Sequence, residues 1–330
     1  MSGKRFHTPL RSRRAFSITD LLWLLFLLAL AISILLPSLS RARELAKRAV
    51  CASNLRGIAQ GALIYANDNV ECFPQHYFEA TPDGLAARPT HGVDWVGSMG
   101  SQAGLKISQQ TSKSVSPKRS HPSRSLFLLI ISGSVGPNLF ICPSTADLAD
   151  NLRNYGPDAG DKRDDAAGLP GVSRFDFPGY DRLSYGYQLP FGPLAQPRAA
   201  LDARMVIAAD KGPYYQRGPA GLAGTKTVTD SRSPRNPPDE WASLSAKELR
   251  DKGPGAWRTY NSPNHDGEGQ NVVFVDGHVD FGKTPLLGLN HDNVFTVQSA
   301  QTETGRMIGL AIDAGQTIGA LTNTDSVVVP

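Results

Sequence analysis

The residue types best suited to chemistry are concentrated between positions 262 and 281. His265, Asp276, His278 and Asp280 can each bind a metal ion or transfer a proton. Carboxylate and carbonyl oxygens suit a hard cation, so calcium is the metal considered for Asp276, His278 and Asp280. No HExxH motif, EF-hand loop or nucleophile elbow occurs. We therefore expect no catalytic residue here, and no cofactor other than such a calcium ion.

The same stretch predicts a β-hairpin. Two strand-like runs, 271–275 and 278–281, flank Asp276-Gly277. An Asp-Gly pair between such runs favours a type I′ turn, in which both central residues have positive φ. His265 precedes the first run, and we expect it to hydrogen-bond to the backbone of a turn.

Three cysteines, Cys51, Cys72 and Cys142, occur without CxxC spacing. The lack of a CxxC pair argues against a zinc knuckle or a redox pair. In an oxidising compartment Cys142 could form a disulfide with Cys51 or Cys72, or it could remain a buried thiol. The sequence leaves these alternatives open.

The overall composition is that of a globular protein with long loops. Hydrophobic residues make up 40% of the 330 positions and charged residues 19%, while 32 Gly and 24 Pro favour turns. Much of the net charge of +4 comes from the N-terminus. Because no basic surface with interleaved aromatic residues is apparent, we expect no nucleic-acid partner.

One hydrophobic segment near the N-terminus predicts a single membrane span. A basic leader, residues 1–15, precedes the nearly unbroken apolar run Leu21–Leu36. Counted from Phe16, the segment has about 21 residues and roughly 30 Å of helix, enough to cross a bilayer. A cleaved secretory signal ending near Ser40-Arg41-Ala42 and a twin-arginine signal at Arg13-Arg14 are the competing interpretations.

The helical pattern continues from 37 to 67, and Asn67-Asp68-Asn69 predicts the end of the helix. A small apolar stripe recurs mostly at three- and four-residue steps and predicts the face that packs on the rest of the protein. Its predicted members are Leu45, Ala49, Ala52, Ile58 or Ala59, Ala62 and Ala66.

The N-terminal segment resembles the class III signal of type IV prepilins and type II secretion pseudopilins. Ala15 stands before the family's cleavage point, where Gly is usual, and Phe16 follows it. Asp20 occupies the fifth mature position, where the family has Glu. The resemblance implies cleavage and N-methylation at Phe16 by a prepilin peptidase. It also implies pairing of Asp20 with the N-terminal amine of a neighbouring subunit; the alternative is a solvated Asp20 at the headgroup boundary.

A second resemblance is to pseudopilin-like proteins that carry a His…Asp-Gly signature in the head. This resemblance rests on the following residues: Arg41–Glu44, Cys51–Arg56, Tyr65–Asn69, Phe73-Pro74, Phe140–Pro143, and His265 with Asp276-Gly277. The resemblance implies an α+β, pilin-like fold, in which a long N-terminal helix packs on an antiparallel sheet with large loop insertions. It further implies a single-pass protein of the inner membrane. The N-terminus would be cytoplasmic, the head would lie in the periplasm or envelope, and the helix would contact other pilin-like subunits.

These observations divide the chain into a leader (1–15), a transmembrane helix (16–36), its amphipathic continuation (37–67) and a globular head (68–330). In the head, 183–188 and 205–210 predict strands, and 125–131 predicts a buried helix or strand. Ser245 and Glu248 have capping-box spacing, and the tail from Asp325 could add an edge strand. We expect a structural protein of a type II secretion or type IV pilus-like system and not an enzyme. The alternatives are a membrane-tethered binding module that does not polymerise, and an envelope hydrolase that uses His265 and acids of the hairpin.

Overall fold

The structure is a computed structural model. It describes residues 17–75, 92–93, 119–120, 122–150, 152, 176–177, 179–188, 197–213, 241, 243–311 and 324–329. The chain divides into two compact units, residues 1–46 and 47–330. The leader and the cleavage point at Ala15 and Phe16 lie outside the described residues.

A single helix, α1, runs from Ile18 to Asp68 over 51 residues and contains Pro37. Its start is capped locally, since Asp20 Oδ2 accepts a hydrogen bond from Ser17 N at 3.1 Å. Every residue from 18 to 43 is exposed. By length and composition α1 can cross a membrane. The predicted transmembrane segment and its continuation are therefore one uninterrupted helix over the described residues.

The C-terminal part of α1 buries one face. The buried residues recur at steps of one to four, as one side of an α-helix requires; they are Cys51, Leu55, Ile58, Ala59, Gly61, Ala62 and Ala66. The predicted stripe is thus right from Ile58 onward. Its N-terminal members are wrong, because Leu45 and Ala49 are exposed and Ala52 is only half-buried. Cys51 is the first fully buried residue of α1, so the apolar residues before it lie outside the core.

Five strands form an antiparallel sheet in the order β6-β5-β4-β3-β9. Their bounds are Tyr185–Gln188 (β3), Val206–Asp210 (β4), Gln270–Phe274 (β5), Val279–Gly282 (β6) and Val328–Val329 (β9). Two further two-stranded sheets pair Gly92–Val93 (β1) with Arg119–Ser120 (β2), and Thr296–Val297 (β7) with Leu310–Ala311 (β8). The long apolar helix and the antiparallel sheet confirm the predicted α+β layout. The predicted strands at 183–188 and 205–210, the hairpin and the tail edge strand are present.

The turn of the β5–β6 hairpin differs from the predicted type. Gly277 has φ +85°, whereas Asp276 does not have positive φ. Gly277 N donates to Phe274 O at 2.9 Å, and Phe274 N donates to His278 O at 3.0 Å. This is a three-residue loop with Gly in the left-handed position, not a type I′ turn. Asp276 stabilises it by accepting from His278 N through Oδ1 at 3.0 Å.

The two faces of the sheet bury different sets of side chains. On one face Tyr185, Tyr187, Ile207 and Val273 join the buried face of α1 in one core. The other face builds a second core; its strand residues are Val206, Ala209, Val272, Phe274 and Val328, and its other members include Val294, Phe295 and Val297. Burial on both sides explains why β4 is an unbroken apolar run rather than an alternating one.

The other α-helices among the described residues are short. They are Ser123–Ile131 (α2), Ala246–Asp251 (α3), Pro254–Trp257 (α4) and Glu303–Ile308 (α5). The buried segment at 125–131 is therefore helical. Ser245 and Glu248 form the predicted capping box at the start of α3. Trp241, Trp257 and Tyr260 pack edge to face in a third, aromatic core.

Candidate functional site

Four side chains able to bind metal converge inside residues 47–330: Cys51, Cys142, Asp210 and His265. Their donor atoms all lie within 4.8 Å of one another, and none of the four residues is more than 1% exposed. They come from α1, from the segment after the 3₁₀ turn Pro137–Phe140, from the end of β4 and from the turn before β5. We call these four residues the donor cluster.

Cys142 is held against α1 by its neighbour in the chain. Asn54, three residues beyond Cys51, donates from Nδ2 to Ile141 O at 2.9 Å. Ser144 N lies 3.4 Å from Cys142 Sγ and donates to it. A backbone N–H directed at sulfur favours the thiolate over the thiol. The sulfur therefore sits in a position that suits a negative charge.

Cys51 receives a hydrogen bond from the hydroxyl of Tyr185, at the start of β3. Asn54 Nδ2 lies 3.3 Å from the same hydroxyl oxygen. Because that oxygen accepts from Asn54, its own hydrogen is available to the sulfur of Cys51. Burial raises the pKa of Tyr185, which keeps this donor protonated.

Asp210 ends β4 opposite Tyr185 of β3. Its carboxylate is completely buried, yet both oxygens accept hydrogen bonds. Asn271 N donates to Oδ2 at 2.6 Å, and Asn271 Nδ2 lies 3.2 Å from the same oxygen. Asn264 Nδ2 lies 3.3 Å from Oδ1. These bonds fix the orientation of the carboxylate.

His265 does not lie in the hairpin but in the preceding 3₁₀ turn, Asn264–Gly267. It has φ +58° and Asp266 has φ +57°, a region that non-glycine residues rarely occupy. The turn is held by Asn261 Nδ2, which donates to Gly267 O at 3.0 Å. This conformation directs the imidazole inward. His265 Nε2 lies 3.7 Å from Cys142 Sγ, and it lies 3.5 Å from the nearer Asp210 oxygen.

The four groups shift one another's ionisation. The hydrogen bond from the Cys51 thiol lowers the pKa of Cys142 to about 5; burial opposes this and His265 adds to it. The same bond, together with burial, raises the pKa of Cys51. Burial raises the pKa of Asp210 to about 7, although His265 opposes the rise. The two thiols therefore shift in opposite directions: Cys142 ionises more readily and Cys51 less readily than an ordinary cysteine.

The residues predicted to bind calcium lie elsewhere. Asp276, His278 and Asp280 are in the exposed hairpin, with side chains 45–70% exposed. His278 Nδ1 bonds to Asp276 Oδ1, and its ring stacks on Phe274 at 4.1 Å. A calcium ion there stays a prediction. Of the signature residues His265, Asp276 and Gly277, only His265 belongs to the donor cluster.

The sequence pointed to His265 and to a possible Cys51–Cys142 pair, but it did not join the histidine to the cysteines. Asp210 is the last residue of the predicted strand 205–210 and was not predicted as a site residue. Zinc motifs are recognised by close ligand spacing, and here 123 positions separate Cys142 from His265. The one available signal was an acid at the end of a buried apolar strand. The cluster can bind a cation or form a Cys51–Cys142 disulfide.

Comparison with protein-family models, with curated proteins and with solved structures gave no match to this chain.

Proposed function

We propose that this protein is a membrane-anchored, pilin-like structural subunit of a type II secretion or type IV pilus-like system. The observation that carries the proposal is α1: one helix supplies an exposed apolar segment of membrane-spanning length, and its last third forms part of the core of the head. A simple tether needs only the first property. A pilin-like subunit needs both properties. Its helix anchors the protein in the membrane, and the same helix is part of the core of the head.

A second feature of α1 favours assembly. From the end of the membrane segment to position 50, exposed apolar residues recur at steps of three or four; they are Leu35, Leu39, Ala42, Ala46 and Val50. By helical periodicity these five residues share one side of α1. An exposed apolar stripe with small residues suits close packing of a second helix. We call these five residues the α1 stripe.

Asp20 has a partner within its own chain, because it caps α1 through Ser17 N. The proposed pairing with the N-terminal amine of a neighbouring subunit would add to this cap, since one carboxylate can accept several hydrogen bonds. A hydrolase based on His265 would instead need a substrate to reach a side chain that is 1% exposed. The geometry therefore favours a structural role over hydrolysis.

Site-specific photo-crosslinking of the full chain in its native membrane tests the proposal. A photoreactive residue replaces Ala42 or Ala46 of the α1 stripe, or Arg41, an exposed residue off the stripe, as the control. We expect adducts from the two stripe positions, identified by mass spectrometry as a second copy of this chain or another chain with a prepilin-type helix. Correctly inserted protein that gives no such adduct from the stripe, or equal adducts from Arg41, would identify a simple tether.

A further inference from the structure

We propose that Cys51, Cys142, Asp210 and His265 form a closed tetrahedral site for a zinc-class divalent metal ion. The site is independent of the proposed assembly role. It offers two sulfurs, one imidazole nitrogen and one carboxylate oxygen. Zinc binds all three kinds of ligand and prefers four of them in a tetrahedron, whereas calcium and magnesium prefer oxygen ligands.

The spacing of the donors suits such an ion. Ligands at zinc bond lengths in a tetrahedron lie roughly 3.3–3.8 Å from one another. His265 Nε2 is 3.7 Å from Cys142 Sγ, and it is 3.5 Å from Asp210 Oδ2. The remaining separations do not exceed 4.8 Å. Small side-chain movements, without rearrangement of the backbone, would therefore close the tetrahedron.

The imidazole presents a nitrogen suited to coordination. Asn271 Nδ2 lies 3.2 Å from Asp210 Oδ2 and 3.3 Å from His265 Nε2. The carboxylate must accept, so the amide nitrogen of Asn271 faces the cluster and has a second hydrogen for the imidazole. In the tautomer with its hydrogen on Nδ1, the Nε2 lone pair accepts from Asn271, and it would turn to the metal ion on binding, as a metal-ligating neutral histidine requires.

Three of the ligands have hydrogen-bond donors behind them. Tyr185 donates to Cys51, Ser144 N to Cys142, and Asn271 N to Asp210. Outer donors of this kind orient metal ligands and stabilise their charged forms. The three donors lie on three separate segments of the chain.

The occupied site would carry a net charge small enough for a buried position. Binding releases to solvent the protons that the ligands still carry, chiefly that of the Cys51 thiol, so two thiolates and one carboxylate carry three negative charges and a divalent ion leaves one. The three N–H and O–H donors spread that charge. The ammonium of Lys211, next to Asp210 in the chain, also interacts favourably with Cys142.

Complete burial indicates a structural site rather than a catalytic one, because a catalytic metal keeps a position open to water or substrate. The ligands come from α1, the 140–145 segment, β4 and the turn before β5. A bound ion would therefore cross-link the buried part of α1 to the sheet. A Cys51–Cys142 disulfide would use only two of the four donors and leave the buried His265–Asp210 pair unexplained.

The test uses the full-length protein in detergent, with reductant, after removal of metal by chelation. Titration with Co²⁺ should show one equivalent bound, with the thiolate charge-transfer and d–d absorption of a tetrahedral cobalt site, and Zn²⁺ should displace it. Cys142→Ser and the isosteric Asp210→Asn should each weaken binding by at least about tenfold. Cys72→Ser removes the third, half-buried thiol and should leave the titration unchanged.

Three results would overturn the proposal. The first is a reduced wild-type protein that binds no Co²⁺. The second is an unchanged cobalt spectrum in folded Asp210→Asn, which decides the question should Cys142→Ser fail to fold. The third is a Cys51–Cys142 disulfide in protein alkylated directly in its native membrane. Because none of these measurements depends on contacts between subunits, failure here is distinguishable from failure of the proposed assembly role.

Discussion

Lys211 Nζ lies 2.7 Å from Asp147 Oδ2, and both side chains are largely buried, at 5% and 13% exposure. Ser184 donates to the same carboxylate oxygen at 2.6 Å, and Tyr180 O accepts a second bond from the ammonium at 2.7 Å. This ion pair ties the end of β4 to the segment that follows Cys142. The ion pair therefore helps to hold Asp210 and Cys142, two residues of the donor cluster, in place.

Lys211→Met should destabilise the head by about 3–5 kcal/mol, because it leaves the buried Asp147 carboxylate without its cation. Chemical denaturation of the full-length protein in detergent, followed by near-UV circular dichroism, measures the change. Arg204→Met is the matched control, since Arg204 and Asp202 form an exposed ion pair with side chains 70% and 38% exposed. Equal losses in the two variants would contradict the structural role of the buried pair.

Gly269→Ala should destabilise the β5–β6 hairpin. Gly269 has φ +156°, and a Cβ there would lie 2.2 Å from Gly282 O, a backbone atom that cannot move away alone. Backbone strain alone costs about 1–3 kcal/mol. Gly136→Ala is the control, because nothing lies within 4 Å of its added Cβ and its φ is −82°. Hydrogen exchange of the β5 and β6 amides measures the effect; unchanged protection in Gly269→Ala would contradict the close approach.

The stability of the head should depend on the ionisation of Asp292. Burial and the Asp325 carboxylate raise its pKa well above the usual range, although Ser326 N, Gln298 and Arg306 oppose the rise. A carboxyl with a raised folded-state pKa contributes stability that is fully present below the unfolded value, near pH 4, and is lost as pH rises through the folded value. The wild-type protein should therefore lose stability with rising pH above about 4 at this site.

Asp292→Asn removes this titration and should make the free energy of unfolding less dependent on pH above about 4. The amide can still accept from Ser326 N, which bonds to Asp292 Oδ2 at 2.8 Å. Unfolding curves at several pH values compare the two proteins. Parallel pH profiles would show that Asp292 does not titrate in this range.

The apolar part of α1 should be needed for anchoring. Leu27→Lys with Leu28→Lys introduces two charges into the span, each costing about 2.5–3.5 kcal/mol at a helix centre. We expect the variant to become extractable from membranes by alkaline carbonate. Leu45→Lys, which lies beyond the span, is the control and should remain membrane-bound. An unextractable double variant would mean that the segment does not cross the bilayer.

Much of the fold follows from local patterns in the sequence. The buried run 205–210 forms β4, Ser245 and Glu248 cap α3, and the runs around Asp276-Gly277 pair as a hairpin. Each of these depends on residues close together in the chain. The turn type was wrong in detail, because Asp276 does not adopt the positive φ that a type I′ turn needs.

The donor cluster could not be predicted, because its geometry is set by packing between distant segments. Only the fold brings Cys51 of α1 to Cys142, and only the left-handed backbone of His265–Gly267 turns the imidazole inward. The buried face of α1 was misjudged at Leu45 and Ala49 for a related reason. Helical periodicity predicts which residues share a side, but not where along the helix the head begins.

Terminal-peptide mass spectrometry of the protein from its native membrane tests the central claim, membership of the prepilin class, most directly. We expect that residues 1–15 are missing and that the mature chain begins with N-methylated Phe16. The measurement needs no variant and is independent of metal content. A chain that begins uniformly at Met1, with an unmodified leader, would contradict the claim and leave a simple membrane tether.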